Sequence, residues 1–251
     1  MLRTILYLNA VLFVGCTSDV LVPCENSNGL SGSLCREYVF EDEQGQGFIE
    51  WTYSSDTITV ATFFDASSIE QKSVERRYEN RMLHVIVESY LNGETNVRSL
   101  HYNDMDSLSA IVYGANDSSL QVTYENGKRL HEMHVTDGQM IGYSVYRYYQ
   151  DDGRLYRIST YNSTDSLLSY RQFDYFDTGQ QRTSFFTSNH QLQGRRVFRF
   201  SQLGLITSTV FTNNEGTETE RIEYFYDSGH KLTERTTQTP LRKLSSRFIY
   251  Y

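Results

Sequence analysis

Apolar and polar residues alternate along most of this chain in short runs, and turn residues interrupt the runs at close intervals. Tyr143 to Tyr149, Leu167 to Phe176 and Arg221 to Tyr226 are rich in aromatic and β-branched residues, the composition of half-buried strands. Glycines at 127, 153, 179, 204 and 229 recur with a near-constant period of about 25 residues. Four of the five have an Asn or Asp one or two residues before them, and Asn-Gly and Asp-Gly tolerate φ > 0 and make tight hairpin corners. A second set of polar turns lies between them, at Asp137-Gly138, Ser163-Thr164-Asp165, Ser188-Asn189 and Asn213 to Gly216. Each repeat is therefore two strands and two turns, with an aromatic commonly placed just before the turn, where it can cap the neighbouring hairpin. Upstream, Tyr78, Tyr90, Tyr102, Tyr113 and Tyr124 keep a looser rhythm of about half that period, and Phe48 to Tyr53 and Thr57 to Phe64 read as a hairpin.

No window sustains a 3.6-residue apolar period, and Ala66 to Arg77 is the nearest helical candidate. The pattern predicts an all-β fold: about sixteen to eighteen strands in one antiparallel meander of repeated hairpins. At about 4.8 Å per strand a flat version would be roughly 75–80 Å long, so an elongated sheet that twists or curls is expected. A membrane barrel requires one lipid-compatible face over about 10 residues per strand. Arg171 and Asp174 fall on opposite faces of their strand, as do Arg196 and Arg199, which argues against that arrangement.

Tyr124-Glu125-Asn126-Gly127-Lys128-Arg129-Leu130 and Asp152-Gly153-Arg154-Leu155 resemble the turn signatures of MORN-variant repeats in YwqK-like antitoxin and lipoprotein families, and are similar to the YD repeats of Rhs shells. The resemblance covers about residues 120–235 well and 38–120 weakly. The period here is two or three residues longer, and Gly204 lacks a polar partner. It implies stacked hairpins used for scaffolding or binding, allows a toxin-immunity role by analogy, and supplies no catalytic residue.

The N-terminus reads as an address. Met1 to Thr4 carries one positive charge, Ile5 to Val14 is apolar, and Phe13-Val14-Gly15-Cys16 resembles a bacterial lipobox, with Phe13 where an aliphatic residue is usual. Ten apolar residues are too few to cross a bilayer but suit a signal segment. The expected division is a signal peptide over 1–15, a tether with a disulfide loop over 16–36 and the repeat domain over 37–251. Lipidation of Cys16 leaves Cys24 and Cys35 as an even pair for one disulfide in an oxidising compartment. The expected location is the bacterial cell envelope, lipid-anchored at the outer membrane and facing the periplasm or the surface.

Composition narrows the function classes. The hydrophobic fraction is 39 %, but 20 residues are Tyr and 14 are Phe, so aromatics supply much of the buried surface. The net charge of −8 opposes phosphate backbones and excludes nucleic acid as a natural partner. The acidity is local: residues 1–120 hold 7 basic and 17 acidic side chains, and 121–251 hold 16 and 14.

No reactive constellation emerges, and the expectation is a non-enzyme without cofactor or metal. His131 and His134 are three apart on a strand and point to opposite faces, so they cannot share an ion. Asn103-Asp104-Met105-Asp106 offers too few oxygens for calcium. Glu41-Asp42-Glu43 and Asp151-Asp152 read as solvated turns. The candidate binding surface is tyrosine: Tyr146, Tyr148, Tyr156, Tyr170, Tyr175, Tyr224 and Tyr226. These residues could grip a protein partner or stack on sugars, against the plainer reading that aromatic ladders hold strands together. The expected function is a lipid-anchored repeat scaffold for a protein partner, with a carbohydrate-binding surface as the alternative.

Overall fold

The computed structural model describes residues 33–55, 57–114 and 118–250, which form eighteen strands and no helix. The strands are β1 (Leu34–Glu41), β2 (Gln44–Ser55), β3 (Ile58–Asp65), β4 (Glu70–Glu79), β5 (Met82–Tyr90) and β6 (Thr95–Tyr102). Next come β7 (Leu108–Tyr113), β8 (Ser118–Glu125), β9 (Lys128–Thr136), β10 (Gln139–Tyr148), β11 (Leu155–Asn162) and β12 (Leu167–Phe176). The last six are β13 (Gln180–Thr187), β14 (Leu192–Phe200), β15 (Ile206–Asn213), β16 (Glu218–Tyr226), β17 (Leu232–Gln238) and β18 (Lys243–Tyr250). Ala66–Arg77, the helical candidate, is instead a turn leading into β4, because Val74 and Arg76 alternate with Ser73 and Glu75 across a two-sided wall.

Every strand pairs antiparallel with its sequence neighbours, and β1 pairs with both β2 and β18. The sheet therefore closes into a barrel, which corrects the open ribbon expected from sequence. The closing seam runs from Leu34↔Tyr250 to Glu41↔Leu244. The physical reason for closure is that an open ribbon would leave two edges of unpaired backbone, and joining them satisfies both. Eighteen strands at about 4.8 Å with the usual tilt give a ring roughly 35–40 Å across between opposite strand axes. Among the described residues, no two strands other than ring neighbours bring Cα atoms within 8 Å of each other. The centre is therefore a lumen. A compact core is missing for the same reason, and the largest fully buried side chains among the described residues are only Thr209 and Ser159.

Cross-strand partners share a face, so register sorts the side chains into two sets. One set runs through Trp51, Ala61, Val74 and Glu88; the other runs through Phe48, Phe64, Val87 and Val97. Each set returns to itself around the ring, as in Glu234↔Arg247↔Tyr38↔Phe48. Inward side chains on a cylinder converge and cover one another, while outward ones splay. The Phe48 set contains the exposed mid-wall residues Arg147, Arg199, Glu223 and Arg247 and is the outer face. The Trp51 set holds buried Ala61, Val74, Val122 and Ile158 and the buried atoms Arg76 Nη1 and Arg196 Nε, and lines the lumen.

Charge occupies both faces. Arg171 and Arg196 point inward while Asp174 and Arg199 point outward, as the alternation predicts. A lipid-facing wall needs an apolar outer band about 25 Å tall, and outer charges on β1, β2, β4, β10 to β14 and β16 to β18 interrupt it. Closure and lipid exposure are separate properties, and this barrel has the first without an outer belt suited to the second.

Turn chemistry repeats at both rims. Asp65, Asn103, Asn162, Asn213 and Asp227 each accept backbone N–H bonds from the residues two and four positions later, at 2.8–3.0 Å. The residue three positions on takes the left-handed conformation: Ser68, Asp106, Asp165, Gly216 and His230. In the last of these turns His230, with φ 65°, makes the corner that the period assigned to Gly229. Gly127, Gly153, Gly179 and Gly204 do have positive φ.

Candidate functional site

The lumen wall is the candidate site, and its strongest feature is a ring of aromatics at one mouth. Even-numbered strands end at what we term the lower rim, and each ends in an inward aromatic: Tyr53, Tyr78, Tyr102, Tyr124, Tyr148, Tyr175, Phe200, Tyr226 and Tyr250. At six of these strand ends the register shifts at the aromatic itself, as at Arg147/Tyr148 and Phe225/Tyr226. A bulge there bends the strand end and re-aims its side chain. Tyr53, Tyr102, Tyr148, Tyr226 and Tyr250 then donate to the carbonyls of Leu34, Leu83, Arg129, Ile206 and Leu232 at 2.7–3.0 Å. Each hydroxyl reaches back 18–20 residues to the start of the preceding strand. Burial pushes the phenols of Tyr102, Tyr148, Tyr226 and Tyr250 above their ordinary value.

Six of the seven candidate tyrosines face the lumen: Tyr146, Tyr148, Tyr156, Tyr175, Tyr224 and Tyr226. Tyr170 does not. It lies on the outer face, 8 % exposed, stacked on Phe186 at 4.6 Å with the Arg157 guanidinium 3.8 Å over its ring and His190 Nδ1 3.3 Å from its hydroxyl. Its role is to pack the wall, so it is removed from the binding surface.

The densest polar group in the lumen spans β9 and β10. Tyr146 donates to Glu132 Oε2 at 2.7 Å, and Arg129 Nη1 donates to the same oxygen at 3.0 Å. His134 Nε2 stands 3.6 Å from Glu132 Oε1. Burial, reinforced by the bond to Glu132, raises the Tyr146 phenol. Burial works against the Arg129 charge, yet bonds to Tyr146 and Tyr124 hold its pKa above the ordinary arginine value. Glu132 Oε2 thus accepts from both Arg129 and Tyr146, which suits a rigid strut. The sequence pattern presents Glu132 only inside a rejected metal motif and gives Arg129 no role beyond its turn. The signal that could have found both is the spacing that places them beside Tyr146.

Elsewhere the lumen carries cations against aromatic faces. The Arg196 guanidinium lies 4.4 Å and 4.7 Å from the ring centroids of Phe198 and Phe211, and Arg76 lies 5.2 Å over Trp51. At the lower turns, Arg154 sits 4.4 Å over Tyr175 and pairs with Asp152. Hydrogen bonding by the Arg154 backbone N–H and side chain holds the Asp152 carboxyl below its usual range.

The remaining candidates fall where turn chemistry places them. His131 pairs with Val145 on the outer face and His134 with Gly142 on the inner one. Asn103 commits its side-chain oxygen to its own turn, and Asp42 and Glu43 form a tight corner with φ 46° and 68°. No group of three His, Cys, Asp or Glu among the described residues could hold a metal ion. Cys35 is 2 % exposed on β1. Cys16 and Cys24 lie outside the described residues, as do the signal segment and most of the tether.

No family model matches the chain, and no curated protein matches it either. Solved structures match it at low identity. A porin-like protein from Bacteroides uniformis matches at 10 % identity over 88 % of this chain and 99 % of its own, with a TM-score of 0.48. A porin-like protein from Bacteroides vulgatus matches at 11 % over the same shares, with a TM-score of 0.35. The crystal structure of TcdB2-TccC3-Cdc42 matches at 14 % over 79 % of this chain, with a TM-score of 0.39. This chain spans only 12 % of that larger one. Superpositions this loose carry no argument about function.

Proposed function

We propose that the chain is a non-catalytic envelope protein, tethered through lipid on Cys16, whose closed repeat barrel is an interaction scaffold for another protein. The observation that carries this reading is how the lumen's polar groups are engaged. Glu132 Oε2 accepts from Arg129 and Tyr146, and five of the rim hydroxyls donate to backbone carbonyls. Such groups make a rigid surface rather than a reactive centre. A tether fits the same picture, because an outer wall with mid-strand charge does not partition into lipid. A Cys24–Cys35 disulfide would fix the tether's root to buried Cys35.

The test is capture of the tagged full chain from solubilised membranes, with and without Cys16→Ser. Recovery of a defined partner with the wild-type chain, together with acyl mass on residue 16, supports the scaffold. A chain without acyl mass that recovers nothing above background contradicts it. A glycan surface is the second reading, favoured by the inward placement of Tyr156 and Tyr224. Glycan-array binding that disappears in Tyr156→Ala and Tyr224→Ala would promote it over the first.

A further inference from the structure

We infer that the lumen face of β10 to β15 binds a linear acidic sugar chain, with Arg171 and Arg196 holding its carboxylates and the phenylalanines beside them its rings. The inference rests on the glycan reading and names the class of sugar. It starts from a difference among the lumen arginines. Arg98, Arg129 and Arg235 pair with Glu88, Glu132 and Glu37 at 2.7–3.1 Å. On β4, Lys72 and Arg76 flank Val74, whose cross-strand partner is Glu88. Arg171 and Arg196 have no such neighbour, because no inward strand residue of β10 to β15 is Asp or Glu. The carboxylates that flank this third of the lumen are Glu132 on β9, engaged by Arg129 and Tyr146, and Glu220 on β16. Glu220 lies two strands from Arg196 and forms no ion pair with it.

The two arginines head the same side-chain set in successive repeats. Arg171 has Phe173 two residues on and Phe185 across the strand pair, and Arg196 has Phe198 and Phe211 in those places. Each arginine lies four residues before its rim aromatic, Tyr175 or Phe200, so both sets stand at one level of the barrel. Two strand spacings of about 4.8 Å and two residues of about 3.3 Å put their Cα atoms about 12 Å apart. In one set the Arg196 guanidinium lies 4.4 Å and 4.7 Å from its two rings, with Nε buried and unbonded. In the other the Arg171 side chain is exposed to the lumen and makes no hydrogen bond or ion pair among the described residues. All four phenylalanines are half-buried, which leaves ring surface toward the lumen. A concave wall lined by one sign of charge concentrates the opposite ion, and an unclaimed guanidinium fork matches a carboxylate bidentately. The negative face of an aromatic ring attracts the C–H groups of a sugar ring. A repeated Arg–Phe–Phe set matches a ligand whose acid groups and rings also repeat.

The experiment is calorimetric titration of the detergent-solubilised full chain with tetragalacturonate and with its methyl ester. The acid should bind, and more weakly as salt rises. The ester has the same rings without the charge and should bind about tenfold more weakly. Arg171→Gln removes a side chain without partners, so the melting temperature should stay unchanged while tetragalacturonate affinity falls about tenfold. Arg199→Gln, outward on the strand that carries Arg196, removes an equal charge and should leave binding as it was. No binding of tetragalacturonate, equal binding of acid and ester, or full affinity in Arg171→Gln overturns the inference. Tetraglutamate or tetraphosphate binding as tightly as tetragalacturonate also overturns it, because the site would then read charge without sugar. Ester binding that disappears in Tyr156→Ala would keep the glycan reading while the acidic class falls, whereas a blank glycan array removes both.

Discussion

The two mouths of the barrel are made from the same hairpins and held in different ways. At the lower rim the strand-end aromatics point inward, and five of their hydroxyls close onto a carbonyl in the first two residues of the preceding strand. At the upper rim aromatics point outward and stack in pairs: Phe48 on Phe64 at 4.6 Å, Tyr143 on Tyr161 at 5.0 Å and Tyr170 on Phe186 at 4.6 Å. The difference explains the composition. A carbonyl at a bulged strand end needs a donor, so five of the nine lower-rim positions use a Tyr hydroxyl for it. A stacked pair needs only a ring, so Phe and Tyr interchange above. Tyrosine enrichment therefore reports hydrogen-bond satisfaction at one rim more than ligand binding.

The largest effect should come from the upper rim. Tyr170→Ala removes a buried ring, its stack and the cation above it, and should cost about 3 kcal/mol in urea denaturation. At the lower rim Tyr148→Phe and Tyr226→Phe keep the ring and lose one hydrogen bond, so each should cost about 1 kcal/mol. Because those sites lie on distant strands, the double variant should be additive. Tyr161→Phe, which retains its stack, should lie within about 0.5 kcal/mol of wild type. Equal losses for Tyr148→Phe and Tyr161→Phe would erase the distinction between the rims.

The third effect is a matter of pH. Burial raises the folded-state values of the Tyr102, Tyr148, Tyr226 and Tyr250 phenols above the ordinary 10.0. A raised phenol means the folded state holds its proton more tightly than the unfolded state does. This contribution is fully present below about pH 10 and is lost as pH climbs through the raised folded value. Melting temperature should fall from about pH 10 upward, and Tyr148→Phe with Tyr226→Phe should flatten that fall. A melting temperature that stays level to about pH 11 would show that these phenols are not shielded.

Much of this wall was legible in sequence because its determinants are local. Asn126-Gly127 and Asp137-Gly138 specify their corners within two residues, and alternation alone sets Arg171 and Asp174 on opposite faces. Closure was not legible. It depends on Leu34–Glu41 meeting Lys243–Tyr250 from the two ends of the repeat domain, and neither segment differs in pattern from a strand inside the meander. The sign of each face, inward or outward, follows from closure and was hidden with it. Tyr170 leaves the surface of the other six for a simpler reason: it lies five residues from Tyr175 on β12, an odd spacing that puts the two on opposite faces. His230 shows the local limit: the left-handed residue is set by distance from Asp227, and a glycine one position earlier masks it.

The seam offers the most direct measurement. Val39 and Ser246 are directly paired across β1 and β18 on the lumen face. A chain carrying Val39→Cys and Ser246→Cys should oxidise to an intramolecular disulfide, identified by mass spectrometry of the linked tryptic peptides, while Val39→Cys with Ser159→Cys, far round the ring, should not. A seam pair that stays reduced in folded protein, or cross-links only between molecules, would mean that the sheet is open.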